Sequence, residues 1–261
     1  MKKTAKIISL ILVLAIFALM AMGSGSSSDG SAQSGGSQDT GKTEEKPADT
    51  SGKAPEPEKK DAYEVGEGRA LVYSDSIGSC WVQISVPVTN TGSTNLYLSS
   101  GTMDLEDADG HLVDSKAMVS VFPTVLKPGE TAWYYEETTL DQTPSTELKV
   151  VPHVDVKGAK VDCIRFDISD LSIGNEQYGG IKITGRVENT SDKDESMVYI
   201  VVFMYDKDGE LLGQAFTILT DDLKAGEKMG FSASTFSSNP AFIVENVDHY
   251  EVFAYPLQYQ F

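Results

Sequence analysis

The sequence predicts an all-β chain: two tandem antiparallel β-sandwiches that follow an export signal and a linker. Three observations predict it. Strands with apolar residues at every second position recur along the chain, as at Ile84, Val86 and Val88 and again at Ile181, Ile183 and Val187. Turn chemistry separates them at spacings near ten residues, as all-β folds require. The pattern then repeats. Asn90-Thr91-Gly92 answers to Asn189-Thr190-Ser191, and Asp107-Ala108-Asp109-Gly110 to Asp206-Lys207-Asp208-Gly209. Asn90 to Asn189 and Gly110 to Gly209 are both 99 residues apart. One offset kept by two separate landmarks marks a duplicated unit near the size of a small sandwich.

The N-terminal stretch, 1–23, has Lys2, Lys3 and Lys6 ahead of an uncharged apolar run over residues 7–22. Sixteen residues is short for a membrane-spanning helix and suits a signal-peptide core. Ala21 and Gly23 supply small residues for cleavage before Ser24. Leu19-Met20-Ala21-Met22-Gly23-Ser24 resembles a bacterial lipoprotein signal, with Met22 where the lipid-accepting Cys of that family stands. A thioether cannot take the diacylglycerol. The resemblance implies export, and leaves two modes: a cleaved signal and a secreted chain, or a chain anchored through 7–22.

Residues 24–62 contain no aromatic residue and no Ile, Leu, Val or Met. Such a segment cannot bury enough apolar surface to offset its ordering entropy. It reads as a disordered linker, Gly/Ser-rich at first, then charged with Pro47, Pro55 and Pro57.

The first sandwich is expected over 63–158. Its strands fall at 70–73, 81–89, 96–105, 111–113, 119–125, 131–135 and 148–156. In the second of these, Pro87 lacks a ladder donor and implies an edge or a bulge. Lys127-Pro128-Gly129-Glu130 is a turn. The second sandwich is expected over 161–261, with strands at 163–171, 180–188, 197–205, 211–219, 229–233 and 250–259. A short helical turn begins at Asn239-Pro240. Leu223-Lys224-Ala225-Gly226-Glu227 matches Leu126-Lys127-Pro128-Gly129-Glu130, two residues short of the common offset.

The order of strand, Asn-Thr-Gly turn, strand, Asp-x-Asp-Gly turn and Leu-Lys-x-Gly-Glu resembles the FxLYD-type domains of bacterial exported surface proteins. The name-giving motif stands here as Val202-Phe203-Met204-Tyr205-Asp206 and as Met103-Asp104-Leu105-Glu106-Asp107. The resemblance implies immunoglobulin-like sandwiches with no catalytic activity assigned to the fold.

The net charge is -18, and most of the acid lies beyond the linker. That field repels phosphate backbones and anionic lipid, which excludes nucleic acid as the expected partner and limits membrane contact to the N-terminal segment. The histidines, His111, His153 and His249, show no metal-ligand spacing. No hydrolase, phosphate-loop or dinucleotide motif occurs in the sequence. Asp104, Glu106, Asp107 and Asp109 invite a calcium reading. An EF-hand frame fails at Leu105 and Lys116, and hairpin turns want Asp and Gly for backbone reasons alone. No catalytic residue, cofactor or metal is therefore expected.

Two candidate features remain. Cys80 and Cys163 are unmatched between the copies, and export permits a disulfide; at a loop of about 80 residues it would contribute about 3–4 kcal/mol. The alternative is two thiols acting as small hydrophobes. Trp133, Tyr134 and Tyr135 run consecutively along a strand, so aromatic surface must face outward. It is a candidate interaction surface, or else it is packed by the neighbouring domain. Signal, linker and repeat together point to an exported, non-enzymatic envelope protein that displays its domains to an unknown protein or surface ligand. A structural spacer or accessory subunit of an envelope complex, and more remotely a hydrolase, are the alternatives.

Overall fold

The computed structural model describes residues 60–176, 179–235, 237 and 239–258. The expected signal, all of the expected linker except 60–62, and the expected end of the last strand at 259 lie outside the described residues. The chain is all-β, with every strand pair antiparallel. Among the described residues a single 3₁₀ turn, Val244–Asn246, stands near the expected helical turn. Among the described residues no helix is long and apolar enough to cross a membrane.

The N-terminal half holds β1 (Tyr63–Val65), β2 (Arg69–Ser74), β3 (Cys80–Asn90), β4 (Leu96–Leu98), β5 (Gly101–Glu106), β6 (Leu112–Phe122), β7 (Val125–Leu126), β8 (Thr131–Thr139), β9 (Lys149–His153) and β10 (Val156–Gly158). Strands β2, β3 and β8 form one face, and β9, β5 and β6 the other. The corners close. Arg69 pairs with Lys149 on one side, and Ser120 to Phe122 pair with Tyr135 to Trp133 on the other. The expected sandwich is thus closed at both corners, as a barrel is. Val82, Ile84, Val86 and Val88 of β3 are fully buried inside it with Met103, Leu105 and Tyr134.

The C-terminal half holds β11 (Asp167–Asn175), β12 (Ile181–Glu188), β13 (Val198–Tyr205), β14 (Leu211–Leu219), β15 (Lys228–Ser234) and β16 (His249–Pro256). The arrangement is similar, but its ladder does not close. Strands β11, β12 and β15 face β16, β13 and β14, joined by the ladder pair Phe216–Ser234 at one corner and by the Phe166 amide donating to Ala254 O (2.8 Å) at the other. Its own core gathers Ile181, Ile183, Val187, Val198, Ile200, Val202 and Met204.

The repeated motifs dock on each other. Asn90 ends β3 fully buried; its Nδ2 donates to Thr94 O (2.8 Å) and Leu126 O (3.1 Å), and its Oδ1 accepts the Gly92 amide (3.0 Å). Asn189 repeats this with Lys193 O (2.7 Å), Leu223 O (2.8 Å) and the Ser191 amide (3.0 Å). The Lys-x-Gly-Glu turns close these staples, since Gly129 and Gly226 donate to the Asn90 and Asn189 carbonyls. Both Asp-x-Asp-Gly turns are likewise alike. Asp107 Oδ1 accepts the amides of Asp109 and His111, Asp206 Oδ1 those of Asp208 and Glu210, all at 2.9 Å. Gly110 and Gly209 both take φ of 81°, where a side chain would be strained.

Pro87 needs correction. Its strand is central, paired to β1, β2 and β8. The proline is tolerated because its partner edge is interrupted there. β1 ends opposite Val88, β2 begins opposite Ser85, and Gly66 donates to the Pro87 carbonyl (2.9 Å) across the gap. The expected strand 96–105 also divides: β4 joins a small sheet with β7 and β10, and β5 joins the barrel. Lys60 and Ala62, placed in the linker by composition, are held by hydrogen bonds to Ser93 and Thr91.

Candidate functional site at the junction of the two halves

Gln83 and Ser85 lie on the polar face of β3, yet both are buried. The reason is the second half. The outer face of β13 is apolar, with Tyr199, Val201, Phe203 and Tyr205 buried on it, and it packs with Leu211 and Tyr255 against Phe122 and Tyr135. Trp133 and Phe216 flank this cluster. At the β5 positions matching Phe203 and Tyr205 stand Asp104 and Glu106, which face solvent in the first half. The two copies thus differ where one covers the other.

Polar contacts fix the register of the junction. Trp133 Nε1 donates to the Tyr205 hydroxyl (3.0 Å), which donates to Glu251 Oε2 (2.9 Å). His249 stacks on the Tyr205 ring at 4.9 Å. Gln83 Nε2 donates to Leu212 O (3.0 Å), and Arg69 pairs with Glu210 (3.5 Å). At the other end, Arg165 Nη2 donates to Val125 O and to Glu130 Oε2, both at 2.7 Å. Its guanidinium lies 5.5 Å from the ring centroids of both Phe253 and Tyr255, within cation–π range. Sequence reading missed Arg165 and Glu130. The available signal was scarcity: the chain has three arginines, and Arg69 and Arg165 both serve this junction.

The aromatic triplet is therefore placed as follows. Tyr134 points into the first core and donates to Ser99 O (2.7 Å). Trp133 and Tyr135 point outward, and the second half covers them. Of the outward pair, Tyr135 is buried within the chain, while Trp133 stays partly exposed and lines a cavity. Tyr135 donates to Glu137 Oε2 (2.9 Å), and Tyr73 donates to the other oxygen of that carboxylate. Burial, and then the Glu137 charge, holds the Tyr135 hydroxyl well above its ordinary pKa. Burial first and Glu251 second do the same for Tyr205. Both stay protonated donors near neutral pH.

The disulfide is also corrected. Cys80 and Cys163 are both free. Cys80 starts β3 and packs on the first core. Cys163 Sγ sits 3.5 Å from Val125 O, beside Leu126, which is stapled to Asn90 at the far end of the same strand. Eleven residues of strand separate these ends, on the order of 30 Å. A bridge needs Cα atoms within about 7 Å. The chain continues through β10 to the Asn90 pole before Cys163, which the expected closing strand at 148–156 did not include. Burial raises the Cys163 thiol pKa, with Arg165 partly opposing.

A cavity of about 860 Å³ opens beside the junction. Arg69 and Leu71 of β2, Trp133, residues 144–148 and Glu210 line it. It offers one guanidinium, an indole and the carboxylates Glu67, Glu147 and Glu210. Elsewhere, Asp107, Asp109 and His111 place donor atoms within 4.8 Å of one another. Asp107 Oδ1 is already committed to its turn, as is Asp206 in the copy that lacks the histidine. His153 pairs with Asp104 (3.0 Å), and Asp104 is held below its ordinary pKa by the Ser115 hydroxyl first and His153 second.

Comparison with models of known protein families gives no match, and a search of curated proteins finds no similar sequence.

Proposed function

We propose that this chain is an exported, non-enzymatic bacterial envelope protein in which residues 60–258 act as one two-part β module, related to FxLYD-type domains, that engages a protein or surface ligand. The observation that carries this reading is the junction. An aromatic cluster joins the two β units, with Trp133 bonded to Tyr205 and Arg165 paired to Glu130 across the contact. Export and display rest on the N-terminal sequence: a basic flank, an apolar run over 7–22, and a polar segment after it without Ile, Leu, Val, Met or aromatic residues. The junction also favours a second reading, in which the module is a stiff spacer or accessory subunit of an envelope complex.

Cell fractionation with N-terminal sequencing of the recovered chain tests the location. A chain found outside the cytoplasmic fraction, starting near Ser24 or retaining residues 7–22 in the membrane, supports the proposal. A soluble cytoplasmic chain with its first residues intact sinks it. Cross-linking on intact cells then separates ligand engagement from a spacer role, by whether Trp133-adjacent cavity residues or only the chain ends reach another protein.

A further inference from the structure

The wall of the N-terminal half opens between β2 and the segment 144–148. The cavity of about 860 Å³ lies there, lined by Ala70, Leu71 and Val72 on one side and by 144–148 on the other. Pockets that take ligands span about 300–1,000 Å³. Strand β2 meets the opposite face only at Arg69, which pairs with Lys149. Past that pair the two segments part, and Thr146 Oγ1 instead accepts the Ala108 amide in the Asp107 turn (3.4 Å).

The backbone of β2 turns hydrogen-bonding groups to this opening. Successive residues of a strand aim their amide and carbonyl at opposite edges. In β3 the even-numbered residues aim at β8: Cys80 O accepts the Leu140 amide (2.9 Å), and the Asn90 amide donates to Glu130 O (3.0 Å). The odd-numbered ones aim at the other edge, where Pro87 O accepts the Gly66 amide (2.9 Å). Val72 lies opposite Val82, and Ser74 opposite Cys80. Residues opposite each other in an antiparallel pair both turn inward or both turn away. Val72 and Ser74 therefore turn away from β3, and among the described residues no strand pairs with them on that outer edge.

The lining sets the sign of what enters. Three carboxylates, Glu67, Glu147 and Glu210, stand against one guanidinium, Arg69, and that guanidinium already pairs with Glu210 (3.5 Å). Glu67 and Glu147 take part in none of the ion pairs of the described residues. Trp133 is partly exposed on the same wall, and an indole attracts a cation placed within about 6 Å of its ring. An acidic segment would meet two unpaired carboxylates here, and a basic one would neutralise them.

We propose that this cavity docks an extended basic peptide of a partner protein, which adds as a strand to β2 at Val72 and sets lysine or arginine side chains among Glu67, Glu147 and Trp133. It names the ligand class for the engagement proposed above and rests on that reading. Main-chain bonds to the free edge supply the affinity, and the carboxylates select the sequence.

Nuclear magnetic resonance of the isotope-labelled full chain, titrated with a blocked pentapeptide of alternating threonine and lysine, tests it. The peptide shifts the amides of residues 70–74 and the Trp133 indole N–H, with a dissociation constant on the order of 1 mM. The matching threonine–glutamate peptide binds at least about tenfold more weakly. Glu67→Gln combined with Glu147→Gln, both exposed, weakens the lysine peptide by about fivefold or more and leaves distant signals in place. Only alternate residues of an added strand face β2. Of two N-methylated peptides, one blocked at the lysines and one at the threonines, one therefore loses binding by about tenfold and the other keeps it. No shift with up to about 10 mM lysine peptide, or shifts confined to other residues, overturns the proposal. So does equal binding of the glutamate peptide, an unweakened glutamine variant, equal effects of the two N-methylations, or a response to a neutral trisaccharide in place of the peptide. Such a failure leaves export and engagement to the fractionation and cross-linking above. A cytoplasmic chain that still binds the peptide sinks that reading and keeps this site.

Discussion

Replacing Asn189 with alanine removes four hydrogen bonds at once. Nδ2 loses Lys193 O and Leu223 O, and Oδ1 loses the Ser191 amide and the Ser191 hydroxyl (2.7 Å). Leu223 is fully buried, and its carbonyl keeps only the Glu195 amide (3.0 Å), so losing the Asn189 donor costs about 1–2 kcal/mol. Lys193 is exposed and Ser191 half-exposed, so water replaces those partners at about 0.5–1 kcal/mol each. The expected loss is about 3–5 kcal/mol. With a urea dependence of about 2 kcal/mol per M, the midpoint falls by about 1.5–2.5 M. Asn90→Ala removes three such bonds and should cost somewhat less. Asn189→Asp should be worse than alanine at neutral pH, since it sets an oxygen where Nδ2 now faces two carbonyls. Urea unfolding followed by circular dichroism reads all three. Midpoint shifts below about 0.25 M for both alanine variants would refute the view that these asparagines staple the repeated turns.

Three further outcomes follow from the same geometry. Trp133→Phe keeps an aromatic ring but removes the bond to Tyr205, and should cost about 1 kcal/mol; Tyr205→Phe combined with it should cost less than the two separately, read as a double-mutant cycle. Burial raises the Glu136 pKa, with Lys116 opposing, so the folded protein resists its ionisation. Its penalty is present above the unfolded pKa and absent below it. Glu136→Gln should therefore raise the urea midpoint at pH 7 and leave it unchanged near pH 4. Both cysteines should alkylate in denaturant without reductant, giving two adducts in the mass spectrum; in the native state Cys163 should lag, because burial disfavours its thiolate.

The repeat, the alternating strands β3 and β12, the buried strand β13 and both hairpin turns were legible from residue pattern, because each depends on its own side chains and a two-residue period. What escaped the pattern depends on distant partners. Gln83 and Ser85 read as solvent-facing, and are buried only because another half covers them. Residues 114–118 read as a break between 111–113 and 119–125, yet β6 runs through them, since β5 supplies the ladder whatever the side chains. Pro87 implied an edge or a bulge in its own strand, but the interruption lies between the partner strands β1 and β2. Cys80 and Cys163 could be placed only once the course of the chain through β10 was known. The aromatic triplet and the 198–205 run each stood out as what the copies do not share; their meeting at one junction needed the structure.

That junction is the central claim, and native-state hydrogen exchange tests it most directly. If the two halves form one body, amides of β8 at 132–135 and of β13 at 199–204 should open with the same free energy. Val201→Asp, on the fully buried outer face of β13, should then speed exchange in both strands together. Different opening free energies, with a change confined to β13 on Val201→Asp, would show two independent units and contradict the account.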